Sequence, residues 1–202
     1  MSTTNIQPFA RELDFEKALT DHLLQNGWNE VIMNPTEEDL IKNWANIIYD
    51  NNRDITKLNN NPLTNTEMQQ ILSKVNLCSS PYDMNKFING QEVCIKRDNY
   101  DDRNNYGKEV YLKIFDAKEI CAGQSRYQIV RQPKFKTAHP LAGDRRGDIM
   151  LLINGMPVIH VELKRSGIDV SQAAFQLKRY THEGIFSSGM FKMVQIFVAM
   201  TP

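Results

Sequence analysis

Two acidic residues and a lysine lie in strand-forming segments between residues 147 and 164. Asp148 precedes one apolar run, and Glu162 and Lys164 stand at the end of the next. Because side chains alternate between the faces of a strand, Glu162 and Lys164 share one face and Leu163 points the other way. A charged group among valines and isoleucines is costly unless it has a partner or a task. The pattern therefore predicts a functional site.

The dipeptide Asn154-Gly155 separates the two runs and is a strong hairpin signal. With only these two residues in the loop, Asp148 would lie out of phase with Glu162, on the wrong face. A three-residue connection that ends at Met156, or an equivalent bulge, places Asp148 directly across from Glu162. We expect the three-residue loop.

Facing carboxylates suggest a hard divalent cation. Such ions prefer oxygen ligands and retain several waters, so two carboxylates and one backbone carbonyl suffice when a substrate phosphate completes the shell. The expected ligands are Asp148, Glu162 and the backbone carbonyl of Leu163, with Mg²⁺ as the ion.

An Asp followed across a hairpin by Glu-x-Lys resembles the PD-(D/E)xK nuclease signature, with Gly147-Asp148 in place of Pro-Asp. An ordinary surface ion pair is the alternative for this short pattern. Gln176 and Tyr180 lie on one helix face and resemble the Gln-x-x-x-Tyr motif of the subgroup that includes the recombination nuclease RecB. Glu16 matches the glutamate of the family's opening helix, which approaches the metal.

A closer resemblance is to the restriction (R, HsdR) subunit of type I restriction-modification enzymes. It is carried by Arg-Arg-Gly-Asp, Asn-Gly-Met-Pro-Val, Val-Glu-Leu-Lys-Arg and Gln-Leu-Lys-Arg-Tyr. It covers most of residues 9–28 and is most specific over 126–182, whereas 29–107 give it little support. Members are longer and carry ATP-dependent motor domains, but this chain has no Gly-x-x-x-x-Gly-Lys-Ser/Thr loop. We therefore expect residues 1–202 to be a single endonuclease domain, the N-terminal fragment of a longer chain.

The resemblance implies a Mg²⁺-dependent type I site-specific deoxyribonuclease that hydrolyses phosphodiester bonds in double-stranded DNA. Asp148 and Glu162 would hold the ion, and Lys164 would orient or deprotonate the attacking water. Gln176 and Tyr180 would fix the lysine, the metal shell or the scissile strand, or else simply pack their helix on the sheet. Target selection would come from a separate specificity (S) subunit, acting with a methyltransferase (M) subunit.

Two other functions stay open on the sequence. One is a noncatalytic DNA-binding or assembly module with a nuclease-like fold, although the intact Asp148, Glu162 and Lys164 argue against it. The other is a free-standing RecB-like repair nuclease, which would need its own recognition of DNA ends.

The net charge is zero, with 24 basic and 24 acidic residues, which at first argues against a nucleic-acid partner. Basic residues nevertheless gather near the proposed site, and the alternative is that they only solvate an exposed face. His139, in the same basic stretch, could also meet phosphate. The expected DNA-binding residues are Lys134, Lys136, Arg145, Arg146, Arg165, Lys178 and Arg179.

Composition places the chain among globular proteins with one sizeable core, since 41% of its residues are hydrophobic. No apolar run approaches the roughly 20 residues that span a bilayer, and no signal peptide is evident, so we expect a cytoplasmic protein without a membrane partner. Cys78, Cys94 and Cys121 lack the spacing of a zinc site and are odd in number. We interpret them as core residues.

Apolar periodicity and turn residues predict an α/β fold, a PD-(D/E)xK restriction-endonuclease-like core with a central mixed sheet flanked by helices. Helices are expected at 14–26, 35–49 and 66–75, and a further helix is capped by Asp169 or Ser171 and reaches about Glu183. Trp44 is a core residue, and 50–105 is an insertion or mobile lobe. His160 is expected to pack structurally, sharing the face of Glu162 only if a bulge intervenes. Strands are expected at 30–33, 110–115, 127–132, the two arms of the hairpin and a buried 193–200.

Overall fold

The computed structural model describes residues 9–88, 92–114, 125–137 and 143–202, so Phe115, Cys121 and His139 lie outside the described residues. The helices are α1 (Glu12–Gln25), α2 (Glu37–Asn51), α3 (Asn65–Leu77), α4 (Pro81–Ile88) and α5 (Ser171–His182), with a 3₁₀ helix at Met190–Met193. The strands are β1 (Glu30–Met33), β2 (Glu92–Lys96), β3 (Glu109–Lys113), β4 (Tyr127–Arg131), β5 (Lys134–Phe135), β6 (Arg145–Arg146), β7 (Ile149–Ile153), β8 (Met156–Leu163) and β9 (Ile196–Met200).

A five-stranded mixed sheet forms the centre of the molecule. Its strand order is β1-β4-β7-β8-β9, with β1 parallel to β4, β8 parallel to β9, and antiparallel pairing from β4 through β7 to β8. Two short antiparallel pairs, β2 with β3 and β5 with β6, stand beside it. The predicted α/β class with a mixed sheet flanked by helices is confirmed. Over the described residues, no helix has both the length and the apolar character needed to cross a membrane.

The sheet packs apolar side chains on both faces, because neighbouring residues of a strand point in opposite directions. On one face, Phe15 of α1 joins Ile149 of β7 in a small cluster. On the other face, Met150 of β7 joins Trp44 of α2 in the larger cluster. Trp44 has no exposed surface, which confirms its predicted place in the core.

Helix α2 follows the Thr36 entry that the sequence indicates, and both of its ends lie two residues later than predicted. The Thr36 side chain accepts from the Asp39 N–H at 3.2 Å, and the Asp39 carboxylate accepts from the Thr36 N–H at 3.0 Å. This capping box satisfies two otherwise unpaired N–H groups at the start of the helix. Thr64 and Glu67 form a second capping box at the start of α3.

The hairpin between β7 and β8 has a two-residue loop, so the expectation of three residues is wrong. Ile153 pairs with Met156, and both loop residues, Asn154 and Gly155, have positive φ, as a tight turn of this kind requires. The change of parity comes from a β-bulge at Val158, the alternative that the sequence left open. An extra residue in one strand shifts the pairing beyond it just as a longer loop would.

The last strand differs from its prediction in start and burial. It begins at Ile196 because Met190–Met193 form a 3₁₀ helix, and its residues are half-buried or exposed rather than buried. Strand β9 lies at one end of the strand order and pairs within the sheet with β8. An edge strand has less cover than a central one, which explains the difference.

The segment 50–105 contributes apolar residues to the larger cluster, including Leu58, Ile71 and Ile95. That this segment is an insertion or a mobile lobe stays a prediction. The segment also contains a buried charge cluster. Arg97 is fully buried and pairs with the buried carboxylates of Glu67 and Asp102 at 2.6 and 3.2 Å. Buried charges of this kind are tolerated because each one has partners.

Replacing Arg97 by Met should therefore destabilise the chain strongly, because Glu67 and Asp102 would be left buried without their cation. We expect a loss of about 3–5 kcal/mol in the free energy of unfolding, measured by urea denaturation. The control is Arg103→Met, an exposed arginine in the same connection between β2 and β3, which should change stability by less than about 0.5 kcal/mol. Equal losses in the two variants would contradict a structural role for the buried cluster.

Candidate active site

Strands β7 and β8 bring the two predicted carboxylates together. The register pairs Ile149 with Val161, so one further residue along the strands places Asp148 opposite Glu162. The Glu162 side chain has no exposed surface, and Asp148 is half-buried. The N–H of Leu163 donates to Oδ2 of Asp148 at 2.7 Å, which fixes that carboxylate against the end of β8.

Both carboxyl groups hold their protons more tightly than usual. Burial, and then the charge of Glu162, raises the pKa of Asp148 to about 7. Burial also raises the pKa of Glu162 to about 8, although Asp148 and Lys164 act in the opposite direction. Raised carboxyl pKa values are typical of functional sites, where charge is kept in a poorly solvated place.

His160 lies beside the carboxylate pair. The prediction that it shares the face of Glu162 only if a bulge intervenes is wrong. Residues i and i+2 of a regular strand share a face, so His160 and Glu162 lie together without a bulge between them. The His160 Nε2 atom lies 2.9 Å from Oε1 of Glu162. The ring is fully buried, and burial lowers the pKa of His160 to about 4, so the ring is neutral near pH 7.

Gly147 makes room for this histidine. A Cβ atom at Gly147 would lie 2.4 Å from Cε1 of His160 and 3.0 Å from the ring of Phe135. The departure from Pro-Asp to Gly-Asp thus has a local reason, because any side chain before Asp148 would collide with the ring.

Lys164 extends past the end of β8 and bonds to the backbone of the residue before it. Its Nζ donates to the carbonyl oxygen of Leu163 at 2.9 Å, and Oε1 of Glu12 lies 3.4 Å away. Sequence reasoning missed Glu12. The available signal was its spacing, since Glu12 precedes Glu16 by four residues and lies on the same face of α1.

Glu16 is buried, but its carboxylate is already engaged. Oε1 accepts from Arg131 at 2.7 Å and Oε2 from the Gln132 side chain at 3.1 Å. Its link to the carboxylate pair is indirect, because the Gln132 N–H donates to the carbonyl oxygen of Asp148 at 2.8 Å. Direct approach of Glu16 to a metal would require these bonds to rearrange, so its role stays a prediction.

Gln176 and Tyr180 of α5 contact each other and the strand that leads to Asp148. The Gln176 amide donates to the Tyr180 hydroxyl at 2.7 Å, and that hydroxyl donates to the carbonyl oxygen of Arg146 at 2.8 Å. Burial, and then the charge of Glu162, raises the pKa of Tyr180 to about 12, so the phenol stays protonated. The motif therefore ties α5 to the residues just before Asp148.

The predicted DNA-binding residues fall into two groups. Arg145 and Arg179 both pair with Glu183, at 2.7 and 2.9 Å, and Lys136 pairs with Glu38 at 3.1 Å. Exposed side chains without a salt bridge among the described contacts make up the second group: Lys134, Arg146, Arg165 and Lys178.

The donor set around the pair suits a hard cation. Oε2 of Glu162 is buried and has no hydrogen-bond partner among the described residues, which is costly unless something else fills the place. Asp148 faces Glu162 across the hairpin, and the carbonyl of Leu163 follows Glu162 in β8, so both offer oxygen atoms, although Lys164 now occupies that carbonyl. Nowhere in the described ranges do three or more His, Cys, Asp or Glu side chains form a metal-ligand group. Two carboxylates and a carbonyl are nevertheless enough for Mg²⁺, which retains waters.

Comparison with known proteins gives one consistent family. The model of the type I restriction enzyme R protein N terminus matches residues 9–201. The chain is 31% identical over 190 residues to a type I restriction enzyme endonuclease subunit from Staphylococcus saprophyticus, and 31% identical over 194 residues to one from Staphylococcus aureus. Each alignment covers 94% of this chain and 18% of the relative. The EcoprrI endonuclease subunit from Escherichia coli is 30% identical over 93 residues, which cover 46% of this chain and 28% of that relative.

The chain therefore spans about 18% of the length of the staphylococcal relatives, at the scale of one domain. The family match runs through α1, the β7–β8 hairpin and α5, so it includes every residue of the candidate site. This confirms the predicted resemblance: the chain belongs to the family of type I restriction enzyme R protein N termini.

Proposed function

We propose that this chain is the Mg²⁺-dependent nuclease domain of a type I restriction enzyme R subunit, and that it hydrolyses phosphodiester bonds in double-stranded DNA without sequence selection of its own. The observation that carries the proposal is the Asp148–Glu162 pair, with one buried oxygen unpartnered among the described residues and Lys164 at the end of the same strand. The endonuclease names of the relatives support it.

Asp148, Glu162 and the carbonyl of Leu163 would hold the ion. When bound, Mg²⁺ supplies positive charge that lowers the pKa of water and offsets the charge that develops on the phosphate oxygens. Asp148 is oriented for this task by the Leu163 N–H. Both carboxyl groups must lose their protons for the ion to bind, so binding should release protons.

Lys164 would orient or deprotonate the water that attacks the phosphate. Its Nζ is held near the Leu163 carbonyl and Glu12, so the ammonium lies at the end of β8 that carries Glu162. A cation at this position also stabilises negative charge on the phosphate in the transition state. Lys164 would leave the Leu163 carbonyl, its present partner, when that oxygen serves as a ligand, and would then be free to reach the substrate.

The exposed basic residues around the site would bind the DNA backbone, with Lys134, Arg146, Arg165 and Lys178 available for phosphates. Arg145, Arg179 and Lys136 would first have to leave their carboxylate partners. Gln176 and Tyr180 would hold the Arg146 backbone, and with it the approach to Asp148.

The complete protein would add what this chain lacks. Because the relatives are more than five times longer, we propose that ATP-dependent motor domains follow and move DNA before it is cut. M and S subunits would supply methylation and target selection, and a cytoplasmic location fits that role. Such an arrangement brings DNA to a domain whose own net charge is zero.

The first prediction concerns the carboxylates. In the complete R subunit assembled with its M and S subunits, Asp148→Ala or Glu162→Ala should reduce DNA cleavage by about 100-fold or more, because the ion loses a ligand. ATP hydrolysis and DNA translocation should stay near the parent level. The control is Asp144→Ala, an exposed aspartate near Asp148. Normal cleavage by either site variant would contradict the proposed site and favour a noncatalytic module.

A second prediction separates Lys164 from Arg165. Lys164→Ala should bind Mn²⁺ as the parent does but lose cleavage, because the lysine acts on water and phosphate rather than on the ion. Arg165→Ala should cleave at saturating DNA and bind DNA more weakly, by an amount that shrinks as salt rises. Equal losses of cleavage at saturating DNA would count against a catalytic lysine.

A third prediction follows from the raised pKa values of Asp148 and Glu162. A folded-state carboxyl pKa above its unfolded value of about 4 stabilises the fold at low pH, and this stability is lost as the pH rises through the folded value. The metal-free chain should therefore lose on the order of 2 kcal/mol of unfolding free energy between pH 5 and pH 8.5, beyond any loss in Glu162→Gln.

Thermal melts in a chelator across this pH range would measure the effect. Mg²⁺ added at pH 8 should raise the melting temperature of the parent and leave that of Glu162→Gln nearly unchanged. If the stabilities of the parent and of Glu162→Gln changed with pH in the same way, burial would not be holding Asp148 and Glu162 protonated.

A further inference from the structure

His160 lies at hydrogen-bond distance from Glu162, which also contacts the Asp148 carboxyl group, and His160 is not a metal ligand in the proposed site. Its Nε2 lies 2.9 Å from Oε1 of Glu162, and both side chains have no exposed surface. The other oxygen, Oε2, has no hydrogen-bond partner in the described part of the chain. One oxygen of the glutamate is thus held by the protein, and the other is left for a ligand.

The imidazole ring is itself fixed in place. Ring centroids of Phe135 and Phe186 lie 5.5 and 5.3 Å from that of His160, and Tyr180 packs at 6.2 Å. Gly147 closes the fourth side, because even one Cβ there would collide with the ring. A ring confined in this way can hold a carboxylate in one orientation.

We infer that His160 is a positioning residue for the metal: it donates from Nε2 to Oε1 of Glu162 and so turns Oε2 toward the ion. The inference rests on the proposed nuclease function and adds a residue to it. His160 itself touches neither the ion nor DNA in this account.

The direction of the hydrogen bond follows from the charge on Glu162. A carboxylate that binds a cation is ionised and can only accept hydrogen bonds, so Nε2 of His160 must carry the proton. A hydrogen bond to a buried charge is stronger than one between neutral groups. Groups that orient metal ligands typically change metal affinity by about 10- to 100-fold when they are removed.

Three variants of the chain test this inference with Mn²⁺ as the probe. His160→Gln keeps an amide N–H donor at a similar reach, His160→Met fills the space without a donor, and Glu162→Gln removes the ligand itself. Mn²⁺ affinity is measured by titration calorimetry, and the metal-free melting temperature of each variant is recorded beside it.

We expect Mn²⁺ affinity to fall by about 10- to 100-fold in His160→Met and to be largely restored in His160→Gln, whatever their metal-free stabilities. Parent-like affinity in a folded His160→Met would overturn the inference while leaving the proposed site intact. Parent-like affinity in Glu162→Gln would instead reject the metal site and with it the proposed function.

A measurement on the parent protein covers the case in which His160→Met does not fold. Nitrogen-15 NMR of the histidine rings with Mg²⁺ bound should show His160 protonated at Nε2 and unprotonated at Nδ1. Protonation at Nδ1 alone would overturn the inference, because His160 could then not donate to Glu162.

Discussion

The burial of two carboxyl groups side by side is the constraint on which the rest of the site depends. Asp148 and Glu162 both have raised pKa values because water is largely excluded, and the charge of Glu162 further raises the pKa of Asp148. The Leu163 N–H donates to Asp148 and offsets part of this cost, and Nε2 of His160 lies 2.9 Å from Oε1 of Glu162. Oε2 of Glu162 accepts no hydrogen bond from a donor in the described structure. A divalent cation would offset the buried negative charge and fill the place beside that oxygen, which is why we propose a cation for this site.

The β-bulge at Val158 is what makes this pairing possible. With a two-residue loop and no bulge, the alternation of side chains would place Asp148 and Glu162 on opposite faces of the hairpin. The bulge shifts the strand pairing by one residue between the turn and the site, and this shift brings Asp148 and Glu162 onto the same face. The tight turn at Asn154-Gly155 can then pack against α2, where a Cβ at Gly155 would lie 3.0 Å from Trp44.

The sequence predicted the parts of the site that depend on local spacing. Strand alternation accounts for Glu162 facing Asp148, and helical spacing accounts for the contact of Gln176 with Tyr180, whereas the catalytic roles of these residues and of Lys164 stay predictions. The position of the bulge could not be predicted, since a longer loop and a bulge give the same parity, and His160 was misplaced although the same alternation applies to it. The partners of Glu16 could not be predicted either, because Arg131 and Gln132 lie more than a hundred residues away in the chain. Pairings at such distances depend on the packing of α1 against the sheet, which local patterns do not encode.

The most direct test of the metal site is a crystal structure of the chain soaked in Mn²⁺, read by anomalous diffraction. The account predicts one strong peak in contact with Asp148, Oε2 of Glu162 and the carbonyl oxygen of Leu163, with Lys164 moved off that carbonyl and His160 still bonded to Oε1. Mn²⁺ bound elsewhere, with no ion between Asp148 and Glu162, would contradict it.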